Sequence, residues 1–406
     1  PWTAPHPVKR IGWWEDPCPF WDEDGPAWLG HSIVGAGPIT LHRMSPDGRE
    51  LLDEGRTVYI GKIAEGTKIF RRNGWYYLSI PEGGVETGWQ TVLRSRDICG
   101  PYERRVVLGT GRTAINGPHQ GALVDTPSGQ WWFMHFQSAG LVGRVCHLQP
   151  VEWVDDWPLI GREGEPVEVW VKPDTPGGGA AAAGTAATAR LPVPSSAAAT
   201  LPAGAQADVG WPDCGFLPTT SDDFSAPTLG LQWQWNHNPL DGAWSLTERP
   251  GWLRLRALAA GELRAARNTL TQKLIGHRGR VEVDIDCGAM ADGQRAGLGF
   301  VGGTKDNWLS VRQEAGRRHL VAFAGGKVSH GPALEAAIIR LGADIDLAGG
   351  TRFRFSLDAK TWMELGAACD LAAGYWKGVR IGLFSHDSSD SRAPADFRDF
   401  RYRVDR

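Results

Sequence analysis

The sequence predicts an all-β chain in which a β-propeller is followed by a β-sandwich, and three observations carry that prediction. The 406 residues include 53 Gly, 27 Pro and 20 Trp, a composition suited to many short aromatic strands joined by tight turns. A unit made of a turn dipeptide and an aromatic strand recurs three times in the front part at intervals of roughly 50 residues, the spacing of propeller blades. In the back part, apolar and polar residues alternate with period two.

The repeat begins at Asp24-Gly25, which leads into Ala27-Trp28-Leu29. Asn73-Gly74 then leads into Trp75-Tyr76-Tyr77-Leu78, and Ser128-Gly129 into Trp131-Trp132-Phe133. Each is the pattern of a hairpin. From Thr175 to Ala207 the chain contains little besides Gly, Ala, Pro, Thr and Ser, which reads as a linker between domains at 1–174 and 208–406. The stretches Trp252–Arg256, Val281–Asp286 and Phe353–Leu357 read as strands with one solvated face, the raw material of a sandwich. Helical periodicity is confined to Pro332–Leu341.

Composition also narrows the function. Acids and bases are interspersed around a net charge of −3, so there is no electrostatic footprint for nucleic acid or an anionic membrane. No apolar run approaches the ~20 residues a spanning helix needs. A neutral partner fits best, and indole rings suit sugars as well as β cores. The six cysteines lack metal-like spacing and read as single buried thiols. They do not fix the compartment, and a homo-oligomer is left open.

Register within the repeat selects the candidate site. Asp16 and Glu65 each lie nine residues before the turn glycine of their unit, and His119 lies ten before Gly129. Taken singly, Asp16 reads as an Asx-turn before Pro17 and Glu65 as a solvated loop acid. Taken together, they occupy corresponding places near the axis of successive blades, so two carboxyls and an imidazole would converge. Paired carboxylates are the equipment of glycoside hydrolysis.

The segments Glu15–Gly25, Glu65–Phe70 with Asn73–Leu78, Glu82-Gly83-Gly84 and Gly117-Pro118-His119-Gln120-Gly121 resemble glycoside hydrolase family 43, five-bladed propellers acting as β-xylosidases and α-L-arabinofuranosidases. The back part, from Asp222-Asp223-Phe224 to the Ala395–Tyr402 stretch, resembles the concanavalin A-like jelly roll appended to β-xylosidases of that family. The resemblance implies that Glu65 is the general acid and that Asp16 raises its pKa and orients it. It further implies that His119 stands at the centre of the funnel and that Arg144 contacts the sugar. Trp89 and Trp376 are candidates for lining the sugar pocket.

One departure stands out. The family's third carboxylate, an aspartate general base, belongs to a blade ahead of Glu15, and residues 1–15 hold no such blade. The front part is therefore expected to be an N-terminally incomplete propeller of about three blades, without its water-activating base. The chemistry calls for no cofactor, while Asp223 and Asp396, on first and last strands, are candidate ligands of a structural calcium ion. The expected activity is inverting, exo-acting release of xylose or arabinofuranose from hemicellulose oligosaccharides. The alternatives are a non-catalytic carbohydrate-binding protein or an inactive fragment, and a propeller that serves protein partners.

Overall fold

The computed structural model of the protein describes residues 3–35, 37–173, 218–374 and 376–405. The chain divides into two compact units, Pro1–Ser138 with Val145–Gly210, and Ala139–Arg144 with Trp211–Arg406. The expected linker, 175–207, lies outside the described residues.

In the first unit three four-stranded antiparallel sheets follow one another, each a simple meander. The first contains β1 (Trp14–Trp21), β2 (Ala27–Ile33), β3 (Pro38–Met44) and β4 (Arg56–Ile60). The second contains β5 (Lys68–Arg72), β6 (Trp75–Glu82), β7 (Trp89–Ser95) and β8 (Glu103–Leu108). The third contains β9 (His119–Asp125), β10 (Trp131–Ser138), β11 (Arg144–Val154) and β12 (Trp157–Ile160). The three turn dipeptides each join the first strand of a sheet to its second. At Asn73-Gly74 both residues have positive φ, 49° and 73°, and the flanking Arg72 and Trp75 pair, which is the geometry a two-residue hairpin requires.

Strand periodicity explains how the sheets stack. Successive side chains of β6 point to opposite faces. Leu78 and Ile80 join Ile39, Leu41, Ile69 and Leu93 in a core shared by the first two sheets. Tyr77 faces the other way and joins Val92, Leu108, Phe133, Trp157 and Ile160 between the second and third. A strand buried on both faces reads as a continuous apolar run, as β6 does. Each fully buried Leu or Ile contributes roughly 1.5–3 kcal/mol, so the middle sheet is anchored from both sides.

The second unit is a sandwich of an eight-stranded and a seven-stranded sheet. Leu298, Leu309 and Leu383 from one sheet and Val281, Val283, Leu341 and Phe397 from the other share one core. The helix expected at Pro332–Leu341 is absent. These residues end the strand Lys327–Ala333, turn, and begin the strand Ile338–Asp346, which pairs residue by residue with Arg278–Asp286. Nine backbone pairs to a neighbouring strand outweigh a weak local helical pattern. Of the described cysteines, Cys287 and Cys369 are buried, Cys18 and Cys99 are partly so and Cys146 is exposed; all five are free thiols. No helix among the described residues is long and apolar enough to cross a membrane.

Candidate active site

The site begins with an irregularity in β1. Glu15 pairs with Ser32, but the next paired residue, Cys18, meets Gly30, so β1 carries one extra residue. Asp16 sits in this bulge with φ +53°. Its Oδ2 accepts the Gly66 N–H (2.9 Å) and the Gln120 amide Nε2 (3.1 Å). A left-handed residue in a bulge re-aims its side chain, and here the carboxyl is aimed at the next two sheets.

Glu65 lies in the loop before β5, where its own N–H donates to the Pro81 carbonyl (3.2 Å). The loop is tied again by the Gly83 N–H, which donates to Lys62 O (2.8 Å). Gly66 has to be glycine: φ is +60°, and a Cβ there would lie 2.8 Å from Gln120 Cγ and 2.9 Å from the Pro81 ring. His119 opens β9, and its Nε2 lies 2.9 Å from Glu65 Oε1. Gln120 completes the arrangement by reaching Glu65 Oε2 at 3.4 Å. Asp16, Glu65 and His119, which the repeat selects from sequence, therefore meet in one constellation drawn from three sheets.

Sequence reasoning missed three members. Glu15 adds a third carboxyl: ligating oxygens of Glu15, Asp16 and Glu65 all lie within 4.8 Å of one another. Burial, then the charges of Asp16 and Glu65, push the Glu15 carboxyl above its ordinary value. Such spacing also suits a cation, but Asp16 and Glu65 are already engaged by Gly66, Gln120 and His119, and the group reads as one that manages a proton. Gln120 is the second missed residue. The third is buried Glu82, which accepts Tyr59 OH (2.9 Å), Arg104 Nη2 (2.7 Å) and the Thr91 hydroxyl. Burial alone would raise the Glu82 carboxyl; donors from Thr91, Arg104 and Tyr59 outweigh it and hold the group below the ordinary glutamate value. Glu82 directly follows Pro81, so this knot fixes the strand end on which Glu65 hangs.

Other expected residues fare differently. His119 is fully buried, and its Nε2 is engaged by Glu65, whose side chain is 18% exposed. The indole N–H of Trp89 is committed to Glu82 (3.3 Å) and Thr91 (3.1 Å), which leaves its ring face. Within the second unit the Arg144 guanidinium lies over the Trp376 ring at 5.6 Å, and its backbone N–H donates to Trp376 O (3.1 Å).

The expected calcium pair is not brought together. Asp222 bridges to Phe400, four residues along the last strand from Asp396, which is about 13 Å of strand. Asp396 is instead held by Arg254 through Nε and Nη2, each at 2.8 Å, and by Arg249 at 2.8 Å, so guanidinium groups supply the positive charge a metal was expected to bring. Asp223 is exposed and caps the Ser225 N–H (2.9 Å).

Residues 1–158 match the model of glycosyl hydrolases family 43, and residues 221–403 match that of the β-xylosidase C-terminal concanavalin A-like domain. A provisionally named β-xylosidase of Xylanibacter ruminicola is 46% identical over 95% of this chain and 67% of its own length. A β-xylosidase of Formosa agariphila is 31% identical over 100% of this chain and 72% of its own. A non-reducing-end α-L-arabinofuranosidase of Bacteroides ovatus is 27% identical, covering 64% of this chain and 45% of its own. Among solved structures, a bifunctional GH43–CE protein of Bacteroides eggerthii superposes with a TM-score of 0.72 at 28% identity, covering 97% of this chain and 48% of that one.

Proposed function

The chain belongs to glycosyl hydrolase family 43, and from that premise we propose that the protein is an inverting, exo-acting glycosidase that releases β-D-xylose or α-L-arabinofuranose from xylan and arabinoxylan oligosaccharides. The observation that carries the reading is the convergence of Asp16, Glu65 and His119 from three successive sheets into one hydrogen-bonded group.

In this reading Glu65, partly exposed as Asp16 is, gives its proton to the glycosidic oxygen as the bond to the anomeric carbon breaks. Asp16 supplies the adjacent negative charge that makes loss of that proton costly until the leaving group demands it. His119 holds the carboxyl in one orientation from below. Inversion needs a base ~6.5–9.5 Å from the acid with a water between them. Glu15 and Asp16 are too close to Glu65 for that, so the base is assigned to a residue outside this trio. The ring face of Trp89 is proposed as part of the pocket wall.

Glu65→Gln in the complete protein should lower turnover of unactivated xylo-oligosaccharides by roughly 10²- to 10⁴-fold. Proton NMR of the first product formed should show the inverted anomer. Unchanged turnover in the variant, or release of the retained anomer by the native protein, would overturn the proposal.

A further inference from the structure

The bulge in β1 does more than aim Asp16. In a regular strand adjacent residues point to opposite faces, so Asp16 at the site would leave Glu15 on the far side. The extra residue and the left-handed Asp16 bring both carboxyls to the same place, within 4.8 Å of Glu65. The two are not equally compensated. Asp16 accepts two hydrogen bonds. Glu15 Oε1 is buried with no hydrogen-bond partner, and the carboxyl is met by the backbone of Gly35. A poorly compensated charge in a shielded place acts strongly on its neighbours.

We propose that Glu15 is a positioning residue for the same reaction: its carboxylate, delivered beside Glu65 by the bulge, adds a second negative charge to that of Asp16 and holds the transferable proton on Glu65 to higher pH. The inference rests on Glu65 being the acid. Electrostatic coupling is reciprocal, and the rise of the Glu15 carboxyl caused in part by Asp16 and Glu65 is the other side of the same interaction. His119, against Glu65, and Lys68, whose ammonium donates to Gly66 O (3.1 Å), also face this set. Three carboxyls this close do not ionise independently of one another.

The test is the pH profile of kcat/KM for the complete protein and two variants. Glu15→Gln keeps the shape and removes the charge, and its alkaline limb should move toward acid by roughly 0.5 to 2 pH units. Glu15→Asp keeps the charge and should restore most of the shift. An alkaline limb unmoved in Glu15→Gln overturns the proposal, because a purely structural role would change rate without moving that limb. Should Glu15→Gln fail to fold, a carboxyl-carbon NMR titration of the native protein decides: coupled two-step curves for Glu15 and Glu65 support the proposal, and an independent single step for Glu15 refutes it. Glu65→Gln separates the two readings. If it abolishes turnover of poor leaving groups while Glu15→Gln shifts nothing, only this inference fails; if it leaves turnover intact, the assignment of the acid fails as well.

Discussion

Gly66→Ala probes the joint on which the site depends. The added methyl would sit 2.8 Å from Gln120 Cγ and 2.9 Å from Pro81 Cγ, on a backbone with φ +60°. A left-handed non-glycine residue costs about 1 kcal/mol or more, and overpacking of this kind adds about 1–3 kcal/mol, so roughly 2–4 kcal/mol of stability is at stake. The strain is relieved by moving the loop, and that loop carries both the Gly66 N–H that holds Asp16 and the Glu65 carboxyl. A displacement near 1 Å costs about 10²-fold in catalysis. Gly129→Ala is the matched control: φ is +82°, but a Cβ there meets nothing within 4 Å, so it should cost about 1 kcal/mol and leave kcat/KM unchanged. Thermal unfolding and kcat/KM of both variants check this. If Gly66→Ala behaves like Gly129→Ala in both measurements, the argument that the close approach positions the site is wrong.

Arg104→Met removes one charged donor from buried Glu82, which keeps Tyr59 and Thr91, and should destabilise the first unit by about 1.5–3 kcal/mol while lowering turnover, as read by denaturant titration and kcat. Because Glu82 is held below the ordinary glutamate value, its stabilisation is complete above about pH 4.5 and disappears as pH falls through the lowered value; Glu82→Gln should flatten that acid slope. Burial lowers His135 to about 4, so between about pH 6.5 and 4 the unfolded chain binds a proton the native state refuses, and about 3 kcal/mol should be lost on acidification across that window. His135→Phe should remove this loss from stability curves measured against pH. A chelator should leave the melting of the sandwich unchanged, because Arg249 and Arg254 already neutralise Asp396.

Much of this arrangement was legible in the residue pattern, and its failures have identifiable causes. Turn glycines and the aromatic runs behind them mark the hairpins because a two-residue turn demands positive φ, and that demand is local. Asp16, Glu65 and His119 could be found because a repeated unit puts equivalent positions in equivalent places. Glu15 could not, since period-two reasoning sends it to the opposite face once Asp16 is chosen, and nothing in the local sequence announces the bulge. Glu82 lay within a quoted motif, yet its role depends on Tyr59, Thr91 and Arg104, brought together only by strand pairing. The calcium expectation failed for a related reason. First and last strands do meet, but register puts Arg254 directly opposite Asp396, and register between distant strands is not written in either one.

The central claim is that Glu65, framed by Asp16 and His119, is the proton donor to the leaving group. A series of aryl xylosides spanning a range of phenol pKa values tests it most directly, with kcat/KM measured for the native protein and for Glu65→Gln. The account predicts a weak dependence on leaving-group pKa in the native protein and a steep one in the variant, with the best leaving groups nearly unaffected by the substitution. Equal slopes for the two proteins would contradict it.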